Sequence, residues 1–200
     1  EELVAGTAHQ FAPLDRRFMD LIDGKAGWAI MGQKGNVLTR LAAYAKLIKD
    51  SLQLQRDIVR EQKEYIEQFQ PDRVICHPKC LFARIWGMKF PGKAICVSPV
   101  PNMTHPVADS AHIGFSRNFG PRGNRLSFTI VNTLTAMMAA RYVKPFRPFF
   151  GGIRLTRSTI FQYFRERERV LYLVSPSLVK RPDEWPAVAR VMGYFERQKT

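Results

Sequence analysis

His105 and Asp109 stand four residues apart in the stretch SPVPNMTHPVADSAHIGFSRNFGPRGN, residues 98–124. An imidazole backed by a carboxylate is more basic than a free one, and such a pair can take the proton of a hydroxyl group. His77 and His112 are further candidate bases. Cys76, His77 and Cys80 carry zinc-ligand atoms, but no second ligand pair stands elsewhere. Cys76, Cys80 and Cys96 therefore read as buried, reduced thiols of a cytosolic protein. Neither GxGxxG nor GxxxxGK[ST] occurs, so no phosphate-cradling loop and no cofactor is expected. HExxH, GxSxG and paired CxxC are absent too, and no metal centre is expected.

The 200 residues suffice for one domain with a sizeable core. No apolar run reaches the ~20 residues of a transmembrane helix, and no signal peptide is visible, so a cytoplasmic location is expected. The unusual property is charge: 31 Lys and Arg against 17 Asp and Glu, a net charge of +14. Such a surface attracts anionic partners. The basic groups, Arg16–Arg17, Arg141–Arg147, Arg154–Arg157 and Arg165–Arg169, are dispersed, and no nucleic-acid motif accompanies them. Tyr142, Phe146, Phe149 and Phe150 interleave with two of the groups, and the segment from Tyr142 to Arg157 could rest on an anionic membrane surface or be a solvated basic face.

These residues need elements to position them. Val37 to about Gln68 carries the longest helical pattern, with Leu38, Leu41, Ala45, Ile48, Leu52, Ile58, Tyr65, Ile66 and Phe69 as its apolar positions. Asn36 can cap it; upstream, His9–Leu14 reads as a short strand and the glycines at 24, 27, 32 and 35 as a loop. Arg73–Cys76 and Ala94–Val97 read as strands around a helix at Leu81–Trp86 that stops at Gly87, the rhythm of a parallel sheet. Their continuous apolar character fits a sheet covered on both faces. Residues 98–124 form a long loop at the carboxyl end of a strand, where open α/β sheets place ligands. Leu126–Val143 is helical again, through Leu126, Ile130, Leu134, Met137 and Met138, until Pro145, Pro148, Gly151 and Gly152 break it. Leu155–Arg167 is mixed, and Val170–Val174 opens the final strand pattern.

That final pattern carries a signature. Ser175, Pro176, Val179, Pro182, Glu184, Trp185 and Pro186 fit SP-x-[LV]-V-x-x-P-x-[DE]-W-P, followed by a strand ending in Gly193-Tyr194. Pro71–Ile75 gives a PD-hydrophobic strand start, Pro99–Pro106 a loop after a strand, and Gly6, Phe11, Pro13 and Leu14 correspond to a G-x-x-F-x-P-L turn, with Gly6 two residues farther from Phe11 than in that pattern. In this order the segments resemble the N-terminal domain of GT-B glycosyltransferases, specifically the sterol and lipid glucosyltransferase branch, whose N-terminal domain is the family-28 type. Asn102-Met103 departs from the Trp-Thr-type pair common in that family.

The resemblance implies an α/β, Rossmann-like parallel sheet with flanking helices, the N-terminal half of a GT-B fold without its first strand-helix unit. Residues 1–195 would be an acceptor-binding domain incomplete at its N-terminus, and residues 196–200 the start of an interdomain linker. The implied activity of the whole enzyme is hexosyl transfer from a UDP-sugar to a hydroxyl of an apolar acceptor, such as a sterol or lipid. The family's base is expected upstream of residue 1, and the nucleotide-sugar site in a C-terminal domain that these 200 residues do not include. This chain alone is then expected to be inactive. The acceptor side would be lined by His77, Pro99, Asn102, Met103, Thr104, His105, Phe115, Phe119 and Met137, with Phe146 beside them. A non-catalytic remnant of the family and a basic nucleic-acid-binding module remain the alternative readings.

Overall fold

The long amphipathic run becomes one helix, α1 (Val37–Phe69), of 33 residues. The computed structural model describes residues 12, 13, 17, 37–115 and 117–194, with backbone alone for 37–51. The loop expected before Asn36, residues 195–200 and all but Ala12 and Pro13 of the expected first strand lie outside the described residues. The chain divides into two units, 1–64 and 65–200, where the sequence reads as one domain over 1–195. In the first unit Asp57 collects Arg17 at 2.9 Å and Arg60 at 2.8 Å. Among the described side chains of α1, Leu54, Val59 and Gln62 are buried, whereas Leu52 and Phe69, expected on its apolar face, are exposed. Gln70 ends the helix in a left-handed conformation (φ 42), its N–H returning to the Ile66 carbonyl at 3.0 Å.

The second unit is built on four parallel strands that cross the sheet in sequence order: β1 (Val74–Cys76), β2 (Ala94–Ser98), β3 (Arg169–Tyr172) and β4 (Ala189–Val191). Helices α2 (Leu81–Lys89), α3 (Gly120–Tyr142) and α4 (Arg157–Glu166) and a 3-10 turn at Lys144–Phe150 make the connections. This is the expected Rossmann-like α/β architecture with flanking helices. Cys76, Cys96, Val170, Tyr172 and Ala189 fill one face, joined by Ala83 of α2, Phe128 of α3, Val107 and Trp185. On the other face Ile95, Val97 and Leu171 are half-buried and Ile75 is 73% exposed. Burial therefore alternates along strands whose composition does not, and the expectation of two covered faces holds for one.

Three local readings change, each for a packing reason. Gly87 lies inside α2 rather than ending it. A Cβ at Gly87 would stand 2.2 Å from the Tyr163 hydroxyl and 2.8 Å from the Ala94 side chain, so glycine here admits neighbours. Helix α3 begins six residues before Leu126, with Pro121 in its first turn, where a missing N–H costs nothing. The face of α3 toward the core is Asn124, Ser127, Phe128, Ala136, Ala139 and Tyr142. Its periodic apolar residues Leu126, Ile130, Leu134 and Met137 are the exposed ones. Small side chains on the inner face let α3 lie close to α4, against which it packs.

The aromatic residues of the basic 142–157 segment also turn inward. Phe146, Phe149 and Phe150 surround the fully buried Phe82 of α2 with ring centroids 5.9, 5.7 and 5.7 Å away. The following helix, α4, starts at a capping box. The Thr156 hydroxyl accepts from the Thr159 N–H, and the Thr159 hydroxyl accepts from the Thr156 N–H.

Arg84 of α2 and Glu168, the residue before β3, form a bidentate ion pair at 2.6 Å on both oxygens, with 4% and 2% of the side chains exposed. The third arm of the guanidinium donates to the Pro78 carbonyl at 2.8 Å, and its plane lies 3.7 Å from the Phe164 ring centroid. Removing one partner leaves a buried charge, a loss of about 3–5 kcal/mol, while removing both with apolar groups is far milder. Glu168→Gln and Arg84→Met are therefore each expected to lower unfolding free energy by that order. The double variant Arg84→Met/Glu168→Leu should recover most of the loss in urea titration. Losses that simply add would show that the pair is not coupled.

Candidate functional site

All four strands are parallel, so His77, Pro99 and Leu173 leave the sheet on one side, at its carboxyl edge. The loop expected to carry function spans residues 99–119 there, between β2 and α3. It is held by side chains on three elements. From α3, Asn124 donates to the Ala108 carbonyl at 2.8 Å and accepts from the Phe119 N–H at 2.9 Å. Ser127 accepts from the His112 N–H at 2.9 Å, and Asn132 donates to the Thr104 carbonyl at 2.9 Å. Within the loop, Asn102 donates to the Ala111 carbonyl at 3.0 Å. Buried polar groups of this kind are stabilising only when satisfied, and here they satisfy a loop backbone.

His105 sits at the centre. Its backbone N–H donates to the Tyr172 hydroxyl at 2.9 Å, and its Nδ1 shares a second hydrogen bond with that hydroxyl at 2.7 Å. The other ring nitrogen, Nε2, is buried without a hydrogen-bond partner among the described residues. Tyr172 stacks on Trp185 with centroids 4.3 Å apart, and His105 lies 5.6 Å from the same indole. The Trp185 indole donates to the Pro106 carbonyl at 2.7 Å. Two stretches singled out in the sequence, Pro99–Pro106 and Pro182–Pro186, thus meet in one contact.

Burial pushes His105 down to about 4, the Arg84 and Arg181 cations acting the same way and the Arg165 carbonyl opposing them. Its Nδ1 is engaged and its ring is 2% exposed. Asp109 is exposed, with no ion pair to His105, so the expected imidazole–carboxylate pair does not form. The four-residue spacing does not bring them together because the Tyr172 hydroxyl holds the ring nitrogen. His112 is likewise structural: Nε2 donates to the Met103 carbonyl at 2.9 Å and Nδ1 accepts from the Gly114 N–H at 3.0 Å. His77, lowered by burial and by Lys79 and Arg84, accepts from the Lys79 N–H at 3.2 Å. Among the described residues no three His, Cys, Asp or Glu side chains converge as metal ligands.

The expected acceptor contacts separate into groups. Thr104 and His105 are buried, Asn102 and Met103 half-buried in the loop wall, and Pro99 exposed at its start. Phe115 and Phe119 form an exposed edge-to-face pair, centroids 5.7 Å apart, at the end of the loop. Met137 does not join them; it lies roughly 27 Å farther along α3, at 1.5 Å of rise per residue. Phe146 is spent on the Phe82 cluster. A shallow cleft of about 630 Å³ runs past His105, Pro106, Trp185 and Pro186, rimmed by Arg125, Arg165, Glu166 and Glu184.

The sequence reading missed Asn124, Ser127, Asn132, Tyr172 and Arg181. Arg181 donates to the carbonyls of Ala189 at 2.9 Å and Pro186 at 3.0 Å and to that of Trp185, fixing the turn that presents the indole. The one legible signal was polar residues recurring on a single face of an otherwise apolar helix.

A base lowered by folding binds its proton first in the unfolded chain. The stability held by neutral His105 is therefore complete above 6.5 and is lost as pH falls toward 4. The loss is up to roughly 3 kcal/mol over that window, and lowered His77 and His112 act in the same direction. His105→Gln should flatten this slope in denaturation curves between pH 7 and 4.5. An unchanged slope would place the titrating group elsewhere.

No family model matches the chain, and no curated protein matches it in sequence.

Proposed function

We propose that this chain is the acceptor-side domain of a GT-B glycosyltransferase that moves a hexosyl group from a UDP-sugar to a hydroxyl of a lipophilic acceptor. The observation that carries the reading is the Trp185–Pro106 contact, with His105 and Tyr172 packed beneath it. It joins two sequence segments that resemble the family independently of each other. A parallel sheet read in strict sequence order suits the second half of such a domain. The loop at its carboxyl edge is in the place where α/β sheets hold ligands.

In this reading the described residues hold the acceptor and do not perform the proton transfer. His105 is enclosed, with Nδ1 bonded to Tyr172, and serves the loop rather than the reaction. Phe115 and Phe119 supply the apolar contact area, on a loop made rigid by Asn102, Asn124 and Asn132. Rigid loops lose little entropy on binding, which favours a stiff apolar ligand such as a sterol. A cytoplasmic enzyme working at a membrane surface would find such an acceptor there. No helix among the described residues is long and apolar enough to cross a membrane.

Dehydroergosterol is a fluorescent sterol that accepts energy from tryptophan. Titrated into the chain, it is expected to quench tryptophan emission with one-site saturation. Phe115→Ser/Phe119→Ser should weaken that binding by tenfold or more, while Met137→Ser leaves it unchanged. Unsaturable binding, or equal loss from both variants, would overturn the assignment of the loop as acceptor site.

A further inference from the structure

A second concavity, whose charged lining is all of one sign, lies at the opposite, amino edge of the sheet. It is a cleft of about 570 Å³ between the α2–β2 turn and α4. Its floor is Gly87, Met88, Pro91, Ala94 and Ile153, and its wall carries Arg154, Arg167 and Arg169 with Thr159, Gln162 and Tyr163. No carboxylate lines it. None of the three guanidiniums makes an ion pair among the described residues. The acids that flank them in sequence are taken elsewhere: Glu168 by Arg84, and Glu166 by Arg165 and by Gln162, which donates to it at 3.1 Å.

Three like charges turned toward one concavity repel each other, and the low-dielectric wall behind them focuses their field. The chain places them there by specific devices. Arg169 opens β3, and its guanidinium lies against the Gly92 turn, 3.6 Å from where a Cβ would stand; Gly92 itself has φ +81. Tyr163 enters the cleft because Gly87 leaves room for its hydroxyl. Burial and the nearby Glu168 carboxylate hold that phenol up, so it remains an O–H donor. The Thr159 hydroxyl and the Gln162 amide are bonded within α4 and its cap, so the guanidinium forks and the Tyr163 phenol are the donors that match phosphoryl oxygens.

We propose that this cleft is a binding site for a phosphoryl group, with Arg154, Arg167 and Arg169 as its cationic ligands and the Met88–Pro91–Ile153 floor receiving the rest of a small phosphorylated molecule. The site is separate from the carboxyl-edge loop and does not depend on the glycosyltransferase reading. Its volume is within the range of small-molecule pockets.

The test is calorimetric titration of the 200-residue chain at low salt with inorganic pyrophosphate and with glycerol 3-phosphate. One-site binding is expected, weakened tenfold or more by Arg167→Gln/Arg169→Gln and several-fold by Arg154→Gln alone. The last residue is exposed before α4, so its variant keeps the fold testable. Arg122→Gln, in the first turn of α3, controls for bulk charge and should bind as the parent does. Equal weakening by Arg122→Gln, or no saturable binding of any probe, overturns the site. Phosphatidylcholine vesicles with and without phosphatidic acid distinguish the source. Binding to the doped vesicles that the arginine variants abolish assigns a lipid headgroup, and soluble phosphate binding alone assigns a free metabolite.

Discussion

A guanidinium and a carboxylate taken wholly out of water set the geometry of the second unit. Arg84 and Glu168 can be buried only if every strong donor and acceptor between them is met, and the bidentate fork, the Pro78 carbonyl and the Phe164 face meet them. That requirement fixes α2 against the start of β3, with β2 between β1 and β3 in the sheet. It also explains why α2 is enclosed on all sides although it is only nine residues long. Its Phe82 is enclosed by the 3-10 turn, its Gly87 by α4 and β2.

The two edges then differ in chemistry because different side chains are left over. At the carboxyl edge many polar groups are consumed internally. Asn124, Ser127 and Asn132 bond loop carbonyls and amides, Tyr172 bonds His105, and Arg181 bonds the turn before β4. At the end of that loop the exposed side chains include the aromatic pair Phe115 and Phe119. At the amino edge the aromatic residues are consumed instead, around Phe82 and Trp86, and arginines remain. The charge of +14 thus resolves into local consequences: some cations are structural, such as Arg84 and Arg181, and others face an open cleft.

The strand-helix rhythm of 73–97 was legible because apolar runs of strand length separated by Pro and Gly leave little choice. The long helix and the long loop were legible for the same reason. The face of α3 was not. Leu126, Ile130, Leu134 and Met137 have a helical period, and periodicity alone says that a stripe exists, not which way it points. The inward face was chosen by side-chain size and by the loop's need for hydrogen-bond partners, both of them tertiary demands. Gly87 was misread for a related cause: a glycine that ends a helix and one that admits a neighbour look alike until the neighbour, Tyr163, is in place. His105 and Asp109 illustrate the same limit, since a partner 67 residues away, Tyr172, outcompeted one four residues away.

That competition bears on what kind of residue a buried histidine is here. A base needs a free lone pair facing its substrate and a proton affinity near the working pH. His105 lacks the second, because the enclosure that makes the Tyr172 contact strong also makes the charged ring costly. Its Nδ1 is bonded to the hydroxyl that orders the loop, and its Nε2 is buried without a hydrogen-bond partner among the described residues. A ring held in this way shapes the loop at the expense of its own proton affinity.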